Sequence, residues 1–367
     1  MKYCFFGSGI HDALIGNPPG GAELQVALIA KALAEKGHQV SIIDNKGSGI
    51  ETNVGNISVL YTAKSKIRGL RYIYEKIPNS LRYLFKVKAD FYYTRGFSFL
   101  FLMVLYVSWY QKAKFILGIA SDIDVLSFNK RFLYVYKTRT SLLNWLINDL
   151  FSGLAGEILL RNADSILVQH SDQQKALYKR KIVSVVYPNI ISVSAKERSD
   201  VSDYFIYVGS LNKRKGLSEL LELITNCSCI KIKIFGNPQG NYAVEKVKIF
   251  KKYKNVEYLG QMPREVIISE IEASLGLINF SKKEGFPNTF LEAWMCGIPV
   301  FSLSVDPGMV IEKYNLGKCF HGDLSLMSSH LITYIPTGAS KEIKEYVASF
   351  HSFEKAADRF LEAISSN

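Results

Sequence analysis

Glu284 and Glu292 bracket the run Gly285-Phe286-Pro287-Asn288-Thr289-Phe290-Leu291, and that order of residue types carries chemistry. Pro287 suits the first turn of a helix, where its missing N–H would find no helical partner anyway. The amides of Asn288 and Thr289 then belong to a helix start, which favours an anion through orphan N–H groups and the helix dipole. One carboxylate falls in the loop before that anion site, and the other about one turn into the helix. A carboxylate beside a phosphate repels it unless it has other work, such as accepting hydrogen bonds from sugar hydroxyls. Two of them flanking a diphosphate suit a ligand with a sugar at each end, which describes a nucleotide-sugar.

A second constellation points the same way. Residues 204–208 read as a strand, followed by Gly209-Ser210-Leu211-Asn212-Lys213-Arg214-Lys215-Gly216 and a helix over 217–225. A strand, a basic glycine-bounded turn and a helix make a phosphate-binding arrangement. The opening of the chain is different. Gly7 and Gly9 with Asp44 invite a dinucleotide reading, but the third glycine position is Asp12 and the helix starts too late, so the spacing rules it out.

Residues 284–300 resemble the Glu-x7-Glu signature of retaining glycosyltransferases of the GT-B fold, family 4, and the resemblance extends over most of the chain. It implies that Glu292 binds the ribose hydroxyls and that Glu284 lies against the donor sugar. The backbone of Gly285, Phe286, Asn288 and Thr289 would meet sugar and diphosphate. Lys215 matches the family's diphosphate lysine, whereas Ser210, after Gly209, stands where an Arg is usual; Arg214 or Lys213 would supply that charge. Loops containing Gly236 and Gln261 would surround the base. The Gly20-Gly21 loop would border the cleft from the first domain. Many members carry a His near residue 120; here Ala120 and Ser121 stand instead, with Asp122, Asp124 or His11 as the replacing polar group. The resemblance thus makes Glu284, Lys215 and Asp122 the catalytic candidates. It also implies retention at the anomeric carbon, no bound metal and no cofactor, the nucleotide-sugar being a substrate, with a UDP-linked donor expected.

The elements that must position these groups follow from periodicity and punctuation. Residues 3–6 and 39–43 read as strands around a helix over 22–36, opening a βαβ unit. Further strands are expected at 90–95, 114–119 and 165–169, the last taken as the final strand of its domain, and a helix is expected at 150–162. Ser171 or Asp172 should cap the helix after His170, itself read as a structural histidine. Residues 230–235, 256–260, 275–280 and 298–303 read as strands of a second domain. The tail, 340–365, reads as helical and amphipathic. The expected architecture is α/β, a GT-B pair of Rossmann-like doubly wound parallel sheets facing a central cleft. Its acceptor domain would span residues 1–188 and its donor domain 189–350, with 351–367 crossing back to the first.

At 367 residues the chain suits two domains, and 48% hydrophobic residues can fill two cores. A net charge of +12 asks for an anionic partner. Residues 64–88 hold eight Lys or Arg and one acid among aromatic and aliphatic residues, a pattern that fits an anionic membrane surface as well as a solvated basic face. No nucleic-acid-binding motif accompanies the charge, so nucleic acid is not expected. Five cysteines form no paired framework, and no signal peptide opens the chain. The 14-residue apolar run 97–110 is too short to span a membrane and is read as a core helix. A cytoplasmic protein, peripheral at the inner face of a membrane, is therefore expected. The acceptor would be a glycan or a lipid-linked one, as in surface polysaccharide synthesis. Rival readings are a GT-B nucleotide-sugar epimerase and a catalytically silent subunit on the same fold.

Overall fold

The computed structural model describes the chain except residues 18–19, 49–50, 64–74, 139–150, 193–201, 337–339 and 366–367. The 64–71 cations of the basic segment therefore lie outside the described residues. The chain divides into two compact units, Met1–Ile190 with Phe353–Asn367, and Ile191–Ser352.

The first unit contains strands β1 (Lys2–Gly7), β2 (Gln39–Ser48), β3 (Thr52–Val54), β4 (Ile57–Ala63), β5 (Phe91–Arg95), β6 (Lys114–Gly118), β7 (Ser165–Val168) and β8 (Val185–Val186). They form an eight-stranded sheet in the order β3-β4-β2-β1-β5-β6-β7-β8. Every neighbour pair is parallel except β3 with β4. Alternate residues of β1 enter two different cores. Tyr3 and Phe5 pack with the helices Gly21–Glu35 and Ala356–Ser365. Cys4 and Phe6 pack with Ile77–Val87, Phe101–Tyr110 and Phe151–Asn162. A parallel strand covered on both faces must be apolar throughout, which is why Tyr3-Cys4-Phe5-Phe6 shows no alternation.

Three expectations are corrected, and the helical tail resolves into two elements. β8 extends the sheet beyond β7, so residues 165–169 do not close it. The helix Ser171–Tyr178 starts from His170 without a side-chain cap, because neither Ser171 nor Asp172 occupies the cap position. The tail is two helices, Ser340–Phe350 and Ala356–Ser365, the first in the second unit and the second in the first. The turn between them lets one face of Phe360 reach Tyr3, Tyr93 and Tyr187. Finally, the apolar run ends in the helix Phe101–Tyr110, of which only one side is core.

The second unit contains β9 (Tyr204–Val208), β10 (Lys231–Phe235), β11 (Val256–Gly260), β12 (Gly276–Asn279), β13 (Val300–Ser302) and β14 (Gly317–Cys319). Their order is β11-β10-β9-β12-β13-β14, with every pair parallel. The order reverses between β9 and β12. At such a switch point the loops leaving two adjacent strands turn to opposite faces and open a crevice at the carboxyl edge. Trp294 anchors one face: it is fully buried among Phe286, Phe290 and Tyr346. Its indole N–H donates to the Leu316 carbonyl at 2.9 Å.

Candidate functional site

Both sequence constellations of the second unit emerge at that switch point. The basic turn leaves β9 and the Glu284 loop leaves β12. Lys213–Lys215 form a short 3-10 turn, N-capped by Asn212, whose side-chain oxygen accepts from the Arg214 amide at 3.0 Å. Gly216 closes the turn with φ of 70°, and any Cβ there would collide with the Phe280 carbonyl. Only glycine lets the turn lie this close to β12. The Lys282 amide then donates to the Arg214 carbonyl at 3.1 Å, fastening the two loops together.

This fastening brings Lys215 Nζ onto the Glu284 carboxylate in an ion pair of two partly buried groups. Beneath them the Tyr207 hydroxyl donates to the Lys215 carbonyl at 3.2 Å. Burial, then the nearby Glu284 charge, push that phenol well above its ordinary range. Arg214 and Lys213 point outward and are exposed, as solvent-facing cations at the rim of the same turn.

Glu292 lies on the helix Asn288–Met295, which starts from Pro287 as its N-cap. It is buried, and its carboxylate accepts from Arg264 Nε at 3.0 Å. Burial pushes the Glu292 carboxyl up, while the charge and hydrogen bond of Arg264 pull it back. The two glutamates thus each face a cation, yet in different settings: Glu284 in a loop with a lysine, Glu292 in a helix with an arginine. Asn288 and Thr289 sit half-exposed in the first turn of that helix. Phe286 differs from them, because its ring is buried against Trp294 and His351. What it offers a ligand is backbone alone.

The loops after β9, β10 and β11 are tied into one rim. Gly209 N–H donates to the Phe235 carbonyl at 3.1 Å, and Gly236 N–H to the Gly260 carbonyl at 2.7 Å. Gly236 has φ of 136°, and a Cβ on it would run into the Gly209 carbonyl. Gln261 meets Asn237 by a side-chain hydrogen bond, and Asn212 Nδ2 reaches Ser210 Oγ at 3.3 Å and Gln239 Oε1 at 3.1 Å.

Arg264 is the partner that sequence reading missed. It opens the helix Arg264–Ala273 after Pro263, and nothing in its local pattern points to a carboxylate 28 residues on. The available signal was indirect: a glutamate on the buried face of a helix needs a cation or hydrogen bonds from somewhere.

In the first unit, Asp122 and Asp124 separate into different roles. Asp124 is buried and accepts from the Ala120 and Ser121 amides at 3.2 and 3.0 Å and from Arg131 at 2.9 Å. It holds its own loop. Asp122 keeps a partly exposed carboxylate, which accepts from Gln173 Nε2 at 2.9 Å and lies 3.0 Å from His170 Nε2. Both residues sit just beyond the carboxyl end of β6.

His11 and Asp44 are linked as well. Asp44 is buried and accepts from the amides of Gly9, His11 and Lys46 at 3.0, 2.9 and 2.8 Å. Its carboxylate anchors the first loop. The His11 ring stands edge-on to Tyr61, with centroids 5.6 Å apart. Gly20 is the extended N-cap of the helix that Gly21 begins. Among the described residues, no group of three or more His, Cys, Asp or Glu side chains could hold a metal ion.

Residues 192–316 match the family model "Glycosyl transferases group 1". The match covers β9 to the turn before β14, including Lys215, Arg264, Glu284 and Glu292. Compared by sequence with the curated proteins, the chain matches none. Among solved structures it superposes along its whole length on sucrose-phosphate synthase from Thermosynechococcus elongatus, with a TM-score of 0.75, 17% identity and 98% of that chain covered. HepE of Anabaena, solved with UDP and glucose, gives 0.72 at 14% identity, with 100% of each chain covered. WaaG, a glycosyltransferase involved in lipopolysaccharide biosynthesis, gives 0.70 at 14% identity, again with 100% of each chain covered. This is the GT-B fold. Its two parallel-sheet units are the two sheets described above.

Proposed function

We propose that this chain is a retaining glycosyltransferase of family 4 type. It would move a sugar from a nucleotide-sugar, UDP-linked, to a glycan or lipid-linked acceptor in surface polysaccharide synthesis. The observation that carries this reading is the pair of cation-bound glutamates at the β9/β12 switch point, Lys215 with Glu284 and Arg264 with Glu292. The Anabaena neighbour, solved with UDP and glucose, supports the donor class. WaaG supports the biosynthetic setting.

In this reading Glu292 accepts hydrogen bonds from the ribose hydroxyls, with Arg264 opposing the upward push of burial on its carboxyl and aiming it. The first-turn amides of Asn288 and Thr289 and the backbone of Gly285 and Phe286 meet the diphosphate and donor sugar. Lys215 exchanges its Glu284 partner for phosphate, and Glu284 turns to the sugar hydroxyls. Gly209, Ser210, Gly236 and Gln261 line the base and phosphate rim, with Arg214 adding charge. In the reaction the bond from the anomeric carbon to the diphosphate oxygen breaks and one to the acceptor oxygen forms, while the acceptor hydroxyl passes its proton to the leaving diphosphate oxygen. Lys215 and the helix N-terminus stabilise the charge that develops on the leaving diphosphate. Asp122, held by His170 and Gln173, is the polar group the first unit supplies where the family usually has a His. Gly20, Gly21 and His11 belong to the acceptor side. No cofactor or metal takes part in this scheme.

The test is mass spectrometry of products from purified chain incubated with a panel of nucleotide-sugars, with and without lipid-linked acceptors. Acceptor-dependent mass gain with an equal amount of free nucleoside diphosphate is the expected outcome. Turnover of donor without acceptor would favour an epimerase. Ala120 and Ser210, standing where His and Arg are usual, are the specific reason to keep a silent subunit as the alternative. Nucleotide binding without any turnover would select it.

A further inference from the structure

The helix Phe101–Tyr110 poses a problem that the donor site does not explain. It contains no charged residue and no polar one except Ser108, which is buried. Such a helix should be covered on all sides. Instead, Phe101, Val104 and Val107 face the core while Tyr106, Trp109 and Tyr110 face solvent. Trp109 is 74% exposed and Tyr110 63%. Tyr106 and Trp109 lie with ring centroids 6.5 Å apart, so the exposed rings are neighbours and form a patch, and an exposed apolar patch marks a surface with a partner.

The neighbouring helices extend the surface. Phe151–Asn162 packs beside Phe101–Tyr110 and exposes Phe151, Leu154 and Ile158. On the other side Ile77–Val87 packs through Phe85, whose ring meets Tyr110 edge-on at 5.4 Å. Gln111 Nε2 donates to the Phe85 carbonyl at 3.2 Å, so the C-terminal ends of the two helices lie together. Around that junction stand Arg82, Lys86, Lys88 and Lys112, all exposed. Neither helix carries an acidic residue. The acids near these aromatics are few: Glu51 pairs with Lys86 at 3.5 Å, Glu157 on the third helix pairs with Arg180, and Asp90 accepts from the Lys2 amide, so cations outnumber them around the two helices.

We propose that this face seats on an anionic lipid surface. Trp and Tyr rings, apolar in body and polar at one edge, settle at the headgroup level. Cations ringing them add attraction to anionic lipid that salt screens. A buried protein interface would instead deplete lysine at its core. The inference does not depend on the donor reading, and it rests on Phe101–Tyr110 and its described neighbours.

The test uses the full chain with vesicles of phosphatidylcholine alone and with phosphatidylglycerol added. Wild type is expected to sediment with the anionic vesicles and far less with the neutral ones. Its tryptophan emission should shift blue and be quenched by lipids brominated near the headgroup, and Trp109→Phe should lose most of that quenching. Trp109→Ser with Tyr110→Ser should weaken partitioning on the order of tenfold or more. Replacing Arg82, Lys88 and Lys112 by Gln should do the same and flatten the salt dependence. Replacing Lys64, Lys66, Arg68 and Arg71 by Gln should leave the Trp109 quenching in place.

Three results would overturn the proposal. Wild type could ignore anionic vesicles at low salt. It could bind them with Trp109 still unquenched. Or sedimentation equilibrium could show a dimer that Trp109→Phe with Tyr110→Ser dissociates and that vesicles do not compete with, in which case a second copy covers the face.

Discussion

Glu292 and Arg264 form the pair on which the donor reading turns, and their chemistry gives it a pH signature. Burial alone raises the Glu292 carboxyl, and Arg264 opposes that rise. Arg264→Gln removes the opposing charge, so the carboxyl should hold its proton to a higher pH than in wild type. A protonated Glu292 accepts ribose hydrogen bonds poorly. Calorimetric affinity for the free nucleoside diphosphate, measured at successively lower pH values, should therefore fall more steeply in Arg264→Gln than in wild type. Equal profiles would mean that Arg264 does not set the charge of Glu292. Glu292→Ala should cost on the order of 2 kcal/mol in nucleotide binding at any of these pH values, since two hydroxyls lose their acceptor. Lys215→Ala should act differently. It should weaken nucleoside diphosphate binding and turnover but leave binding of the neutral nucleoside unchanged, because its charge complements phosphate only.

At the scale of elements, the site rests on two loops being clipped together. Gly216 permits the clip, with φ of 70° and no room for a Cβ against the Phe280 carbonyl. Gly216→Ala should destabilise by roughly 1–3 kcal/mol through strain at a left-handed position. It should also lower nucleotide affinity by shifting Lys215, whereas Gly240→Ala, also at positive φ but with nothing near its Cβ, should leave affinity intact. Unfolding by urea beside calorimetry separates the two effects. A second element-level prediction concerns His330, on the helix Leu324–Ile332. Burial, then Lys318, lower its pKa below the ordinary 6.5. A histidine whose folded pKa is depressed takes up its proton more readily when unfolded, so the stability it contributes is present above pH 6.5 and is lost as pH falls through the folded value. His330 packs against Phe301, Phe320 and Tyr334, so His330→Phe should keep the packing and lose less stability on acidification than wild type. Parallel acid slopes in the two proteins would remove His330 as the cause.

At the scale of the whole molecule, the chain leaves its first unit once and returns to it. Phe360, in the last helix, is fully buried in the first unit's core and meets Tyr3, Tyr93 and Tyr187. The Tyr187 hydroxyl also donates to the Ala356 carbonyl at 3.1 Å. The tail is thus part of that core and not an appendage. Phe360→Ala should cost about 3–5 kcal/mol. Hydrogen exchange followed by mass spectrometry should show faster exchange in β1 and β5, the strands of Tyr3 and Tyr93, and no change in β9 or β12. Equal loosening of both sheets would contradict the division into units.

Much of this protein was legible in residue order alone, for a local reason in each case. The parallel strands show as short apolar runs because helices cover both faces of their sheets. The nucleotide-sugar motif shows because its working groups, the helix start at Pro287 and the two flanking glutamates, lie within one short stretch. The basic turn shows because its glycines and cations are consecutive. What stayed hidden depends on groups far apart in sequence. Arg264 finds Glu292 only because the helix after β11 packs beside the helix after β12. Asp122 and Asp124 are equivalent as letters, and they part only when one faces its own loop and Arg131 while the other faces His170 and Gln173. Both parts of the tail are amphipathic, yet Ser340–Phe350 and Ala356–Ser365 serve different cores. Likewise an apolar run tells that a helix seeks cover but not which side receives it. Packing covers one side of Phe101–Tyr110 and leaves Trp109 in water. Periodicity records which residues avoid water, and tertiary contact alone decides what they meet instead.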